Sequence, residues 1–379
     1  MTDVHVAVVI VAHNSLDELR RSLPALRAEL QPEDELIVVD NGSRDGLADE
    51  FGRLAPAGRL LAIDGNAGFA AGANAGAADA RAHLLVFLNP DAVVEPGWGE
   101  AIRRPWGSSA AAWMGLVLLE DGERINTSGG MLHFTGLGWA GQVGEPVSAA
   151  PAKAREVAFL SGACLAIPRD LWQRLGGFSE HFFMYCEDVD LSLRLRLLGG
   201  SLVVVPDARA DHAYEFAKGE WKWRLLERNR WATVLRTYPA PLLALVMPAL
   251  LATELAIWVV ALRGRWGRAK ARATIDLLHA LPLLLEERRT IQAAVRVPAT
   301  AFAASMTATL DSPYLGRAGR QPVVRFACRL YWRCVVSVLA RLDAPAPRPR
   351  SPFRPRREHP REWRRLPPMR KRRSSREGR

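Results

Sequence analysis

The chain has 379 residues, 49% hydrophobic and 24% charged, a globular composition with room for one large catalytic domain plus additions, or for two domains. Its net charge of +11 is carried by residues 344–379, where 14 Lys/Arg stand against 3 Asp/Glu, so the first 343 residues are close to neutral. That distribution argues against a nucleic-acid-binding core and leaves any such role to the tail. Cys164, Cys186, Cys328 and Cys334 form no CxxC pair, which speaks against a metal cluster or a disulfide framework and fits a reducing compartment.

The N-terminal "MTDVHVAVVIVAHN" has no basic n-region and no cleavage site, and reads as a first strand rather than a signal peptide. "VHVAVVIVA" (4–12) is apolar without alternation, the pattern of a strand buried on both faces. A helix is predicted over 16–30 with Ser15 as its N-cap. "DELIVVD" (34–40), "RLLAID" (59–64) and "HLLVFLNPD" (83–91) read as further strands, with "NAGFAAGANAGAADAR" turning into a helix between the last two. Strands alternating with helices at this spacing predict an α/β fold with a mainly parallel sheet. Asn14, Asp40, Asn66 and Asp91 fall at the carboxyl ends of these strands, the edge where open α/β sheets bind ligands.

Beyond residue 110 the alternation fades. "AAAWMGLVLL" reads as a strand, and the glycine-rich "GGMLHFTGLGWAGQVGEP" as a loop or irregular hairpin. "EVAFLSGACLAIP" (156–168) is an apolar strand interrupted by a small-residue turn, and a helix follows from Arg169. "SLVVVPDARADH" (201–212) is one more strand. From Tyr238 a long apolar stretch holds Pro248 and Glu254 and runs into a basic cluster; two amphipathic segments follow. Residues 239–343 are read as interfacial helices, with a true membrane span and ordinary helical packing as alternatives. Residues 344–379, rich in Arg and Pro, read as disordered; their charge fits acidic lipid headgroups, nucleic acid or plain solvation.

Several stretches carry chemistry or its plainer counterpart. In "VVDNGSRDG", Asp40 is either a turn residue or a hydrogen-bond acceptor for a base or ribose. Gly68, Gly72 and Gly76 repeat at i, i+4, i+8 on one helix face, so the sheet or a ligand's phosphates must come close; the spacing is neither GxGxxG nor a P-loop. Asn66 and Asn74 are candidates for hydrogen bonds to a nucleotide. Asn89-Pro90-Asp91 ends a buried strand, and a carboxylate there suits a divalent cation bridging a diphosphate. His212 is a surface histidine or a second ligand beside Asp91. The arginines of "KWRLLERNRWATVLRTYP" (222–239) make either a solvated basic helix or a phosphate contact. In "HFFMYCEDVDLSLRLRLLGG" (181–200), helix electrostatics and Arg194 account for Asp190. Glu187 and Asp188 directly follow an apolar wall, where a carboxylate is more basic and suited to general-base work.

Taken in order, "VVIVAHN", "VVDNGSRDG", "NAGFAAGANAG", "FLNPDA", "FLSGACLAIPRDLW", the "ED" stretch and "PDARADH" resemble the motifs of family 2 glycosyltransferases, and most nearly the bacterial rhamnosyltransferase-like branch. The resemblance spans about residues 5–240. It implies a GT-A fold, a nucleotide-sugar donor, Mg²⁺ or Mn²⁺, and inversion at the anomeric carbon. By position, Asn14, Asp40, Asn66, Gly68, Asn89 and Asp91 would bind the nucleotide sugar. Asp91 and His212 would hold the metal, with Asn89 standing where the first acid of a DxD pair would be. Asp188 would be the catalytic base and Glu187 would hold the acceptor. The expected organisation is a transferase domain over 1–238, a membrane-associated helical region over 239–343 and the tail. The expected activity is transfer of a sugar, with dTDP-rhamnose favoured over a UDP-sugar, to a glycan or polyprenyl-diphosphate-linked acceptor of the cell envelope. The expected place is the cytoplasmic, inner face of a bacterial cell membrane, held at an anionic surface by the helices and tail; nucleic acid is not an expected partner. A sugar nucleotidyltransferase is the competing reading, and release of pyrophosphate rather than nucleoside diphosphate separates the two.

Overall fold

The computed structural model describes residues 4–213, 219–311 and 321–343; the basic tail lies outside the described residues. In chain order the elements are β1 Val6–Ala12, α1 Leu16–Glu29, β2 Glu35–Asp40, α2 Leu47–Leu54, β3 Arg59–Ala62, α3 Phe69–Asp79, β4 Leu84–Leu88 and β5 Ala92–Val94. There follow α4 Trp98–Arg103, β6 Ala110–Leu119, β7 Ile125–Thr127, β8 Gly130–Leu132, β9 Gly138–Ala140, β10 Arg155–Glu156, β11 Cys164–Pro168, α5 Arg169–Leu175, α6 Glu187–Leu197 and β12 Ser201–His212. The last five are helices: α7 Gly219–Thr237, α8 Ala240–Arg263, α9 Gly267–Ala293, α10 Ala299–Ala303 and α11 Pro322–Leu342.

The main sheet runs β10-β12-β6-β11-β4-β1-β2-β3, and four of its seven neighbouring pairs are parallel. The parallel block β4-β1-β2-β3 is in register at its carboxyl end: Ile10 lies opposite Leu88, Ala12 opposite Asp40, and Asp40 opposite Ala62. Every residue of β1 is buried, as the unbroken apolar run requires of a central strand covered on both faces. Antiparallel β11 then reverses the order, and β12 brings His212 opposite Ala92 of β5, just past the end of β4.

Local chemistry sets the helices onto this sheet. Leu16, Leu19, Leu23 and Leu26 form the buried stripe of α1. Ser15 does not cap that helix as expected; its hydroxyl turns back to the His13 carbonyl. The carboxylate of Asp45, from the next strand–helix loop, accepts from the Leu16 amide at 2.8 Å instead. The glycines of α3 serve close packing. A Cβ on Gly76 would sit 2.4 Å from Val9 Cγ1, and one on Gly72 would sit 2.6 Å from Val11 Cγ1. Of the two approaches left open by the sequence, sheet packing therefore accounts for both residues.

The C-terminal helices pack against the sheet domain. Phe134, after β8, stacks on Trp332 of α11 with ring planes 4° apart and centroids 4.9 Å apart, and the Arg296 amide donates to the Leu197 carbonyl at the end of α6. Among the described residues α8 alone is long and apolar enough to cross a membrane by length and composition. Leu251, Leu255, Val259, Val260 and Leu262 are exposed along it, Leu255 by 70%, and Val323, Phe326 and Leu330 are exposed on α11. Glu254, the one acid in that apolar helix, turns inward.

Candidate active site

Three strand–helix loops at the carboxyl edge are knitted by short polar side chains. Asp40 is buried and Oδ1 accepts from the Ser43 amide at 2.8 Å. Asn14, held in the left-handed region at φ 52°, accepts from the Arg44 amide at 2.8 Å and donates its own amide to Ser43 Oγ at 3.0 Å. Asparagine tolerates that backbone better than most residues. Between them sits Asn41. It is buried, its Nδ2 donates to Asn66 Oδ1 at 3.1 Å, and its Oδ1 accepts from the Ala67 amide at 2.9 Å. The side chains of Asn14 and Asn66 are solvent-exposed at the mouth of this network. Asn74 is not part of it: the side chain is buried and bonded to both backbone groups of Phe178 and to Glu180, which pins α3 to the loop after α5.

Gly68 is the point where this network meets the acid-bearing loop. It caps α3 at φ 88°, and a Cβ there would lie 2.5 Å from both the ring and the carbonyl of Phe183. The Ala70 amide, two residues on, donates to that same carbonyl.

Past the end of β4, Asp91 Oδ1 lies 3.1 Å from His212 Nε2, and Asn89 Nδ2 lies 3.0 Å from the same nitrogen. Among the described residues no three His, Cys, Asp or Glu gather into a metal-ligand group. A carboxylate oxygen and an imidazole nitrogen converging on one point is nonetheless a donor set that Mg²⁺ or Mn²⁺ accepts when diphosphate and water complete the shell.

Asp188 lies close to that strand end. Its Oδ2 accepts from the Gly162 amide at 2.9 Å, and the Asn89 amide donates to the Ala163 carbonyl at 3.1 Å, so one turn joins the two. Burial pushes the Asp188 carboxyl up, and the Gly162 and Val189 amides pull against that without cancelling it. Glu187 is almost fully buried, with Oε2 lacking a hydrogen-bond partner among the described residues. Burial first, then the charge of Asp188, holds its carboxyl well above the usual range. Asp190 is different: it is wholly buried and paired with Arg194 at 2.7 Å and Arg236 at 3.4 Å, and Arg194 also holds the carbonyls of Leu175 and Gly177.

The arginines of α7 have partners within the protein, although the Arg224 side chain stays 42% exposed. Arg224 pairs with Asp276, Arg228 donates to the His181 and Phe182 carbonyls, and buried Arg230 pairs with Glu227 and Glu254. Internal pairing thus accounts for Arg228 and Arg230, while Arg224 stays partly in solvent. Three residues that matter here went unread: Asn41, masked as ordinary turn chemistry; Gly162, one of many small residues in "FLSGAC"; and Asn229, lost among the charges of "ERNRW".

The sequence is matched by the model of glycosyl transferase family 2 over residues 7–174 and by that of glycosyl transferase family group 2 over residues 146–306. It is 30% identical over 244 residues to N-acetylglucosaminyl-diphospho-decaprenol L-rhamnosyltransferase of Mycobacterium tuberculosis, a stretch covering 56% of this chain and 76% of that protein. This chain belongs to glycosyl transferase family 2. The transferase is also 36% identical over 75 residues to rhamnosyltransferase WbbL of Escherichia coli, 20% of this chain and 27% of that one. Its fold resembles that of GalNAc-T7 solved with UDP, GalNAc and Mn²⁺, with a TM-score of 0.54 at 18% identity over 62% of the transferase and 48% of that chain. The α/β architecture is thus that of a GT-A glycosyltransferase.

Proposed function

We propose that this family 2 transferase moves L-rhamnose, with inversion, from dTDP-rhamnose to a hydroxyl of a polyprenyl-diphosphate-linked glycan during cell-envelope polysaccharide synthesis. The observation that carries this reading is the turn Ser161–Ala163, which ties Asp188 to the strand end bearing Asn89 and Asp91. An acceptor hydroxyl lying against Asp188 would thereby stand next to a sugar diphosphate lying against Asp91. The similarity to the mycobacterial rhamnosyltransferase favours the donor and the lipid-linked acceptor.

In this reading Asp188 takes the acceptor hydroxyl proton as that oxygen attacks the anomeric carbon from the face opposite the diphosphate. The new glycosidic bond forms as the bond to the diphosphate oxygen breaks, and the nucleoside diphosphate leaves with the electron pair. Glu187 holds the acceptor, and Asn14, Asp40, Asn66, Gly68 and Asn89 line the donor site. Asp91 and His212 would hold a divalent cation, which when bound supplies Lewis-acid stabilisation of charge on the leaving diphosphate. Desolvation explains why the base is poised: a buried carboxylate has lost the water that would stabilise its charge, and it binds a proton more tightly.

The division into a transferase domain over 1–238, a helical region over 239–343 and a basic tail belongs to the same proposal. The exposed apolar residues of α8 and α11 support seating at the inner face of the membrane. Flotation with vesicles containing anionic lipid tests this, and a protein that stays in the aqueous fraction would refute it.

A panel of dTDP- and UDP-sugars, assayed for protection against thermal unfolding with and without Mn²⁺, tests the donor. A donor at 100 times its dissociation constant stabilises by about 2.7 kcal/mol. No protection by any sugar nucleotide, or release of pyrophosphate instead of nucleoside diphosphate, would overturn the reading.

A further inference from the structure

The segment that leads into Glu187 and Asp188 is strained. Phe183, Tyr185 and Cys186 all occupy the left-handed region, at φ 62°, 69° and 64°, and none is glycine. Side chains with a Cβ avoid that region, so such a run persists only where surrounding contacts hold it. Cys186 is the N-cap of α6, so the strained backbone sets where the first turn of that helix, and with it Asp188, is aimed.

Two neighbouring side chains of α7 supply most of the contacts that hold it. Asn229 of α7 is fully buried, and its Nδ2 lies 3.0 Å from the Phe182 carbonyl, 2.9 Å from that of Met184 and 2.7 Å from that of Tyr185. Arg228 Nε donates to Asn229 Oδ1 at 2.9 Å, which turns the amide nitrogen toward the loop. The Arg228 guanidinium also bonds the carbonyls of His181 and Phe182. Two adjacent residues of one helix therefore satisfy four carbonyls of the loop.

We propose that Asn229 is a positioning residue for sugar transfer: its amide clamps the strained 182–186 backbone so that α6 presents Asp188 to the acceptor. It touches no substrate. The inference rests on the reading of Asp188 as the base.

The test compares wild type, Asn229→Ala, Asp188→Asn and the double variant Asn229→Ala/Cys186→Gly. It measures kcat, KM and calorimetric Kd for dTDP-rhamnose, or for the UDP-sugar that replaces it in the donor panel. Misplacement by an ångström is worth up to about a hundred-fold in rate, so Asn229→Ala is expected to lose about ten-fold or more in kcat while donor KM and Kd stay within about two-fold. Glycine makes the left-handed backbone accessible without strain, so the double variant is expected to regain part of kcat. Should Asn229→Ala fail to fold, Asn229→Ser, which keeps one donor, is read in the same way. Wild-type kcat in Asn229→Ala, parallel loss of donor binding and kcat, or a double variant no faster than the single one overturns the inference. Full activity in Asp188→Asn overturns the functional reading beneath it, whereas an inert Asp188→Asn beside a fully active Asn229→Ala overturns only the clamp.

Discussion

The amide nitrogen of Gly162 lies 2.9 Å from Oδ2 of Asp188, joining residues 26 positions apart across the carboxyl edge of the sheet. That bond favours the charged carboxylate, while burial favours the protonated form and prevails. In the proposed function Asp188 is the base, and a base works deprotonated. Activity is therefore expected to fall as pH drops through a value above the ordinary 3.8 of an aspartate. Gly162→Pro removes the amide proton and is expected to move the acid limb of kcat/KM to higher pH. Gly162→Ala keeps it, and its Cβ would meet Phe69 at an ordinary 3.4 Å, so its limb should match wild type. Profiles of kcat/KM against pH for the three proteins check this.

Glu187 gives a prediction on stability. Its carboxyl is held well above the usual value near 4.5, so the folded state binds a proton more tightly than the unfolded one. As pH rises through that window the unfolded chain ionises first and stability falls, reaching a constant deficit above the folded value. Glu187→Gln removes the ionisation. It is expected to raise the melting temperature at pH 7 and to leave it unchanged near the ordinary glutamate value, measured by thermal denaturation at each pH.

Glu254 and Lys270 are 2.6 Å apart, and the Glu254 carboxylate also accepts from Arg230 at 2.6 Å and from Trp231 Nε1 at 2.8 Å. Lys270 is 1% exposed and pairs with Glu227 as well. Removing one partner from a buried ionic cluster leaves uncompensated charge, typically costing about 3–5 kcal/mol. Glu254→Ala should lose stability on that scale by urea denaturation. Arg104→Ala, which breaks an exposed pair with Asp207, should change it by less than about 1 kcal/mol.

Gly76 should resist even a methyl group. In an exposed helix Gly→Ala gains about 1 kcal/mol. At this site the added carbon would fall 2.4 Å from Val9 and 3.0 Å from Val39, so α3 must move off the sheet. Overpacking of this kind costs about 1–3 kcal/mol, and Gly76→Ala should be net destabilising in the same assay.

Much of the sheet was readable in the sequence because its signals are local. An unbroken run such as "VAVVIVA" has few ways to hide from water other than a central strand, and polar residues at its end mark the carboxyl edge, where open α/β sheets bind ligands, wherever the neighbours lie. Local physics also predicted basicity for the acids behind "FFMYC", because an apolar wall desolvates whatever follows it. By itself, then, the sequence determined the strands, the polar residues at their carboxyl ends and the desolvated acid pair. The tertiary structure alone decided which polar side chain meets which backbone. Asp45 rather than Ser15 caps α1, Asn74 bonds Phe178 instead of joining the Asn41 network, Glu254 turns inward to Lys270, and Asn229 bonds a loop 44 to 47 residues away. Hydrogen bonds and ion pairs are short-ranged and directional, so their partners exist only once packing has brought distant segments within about 3 Å.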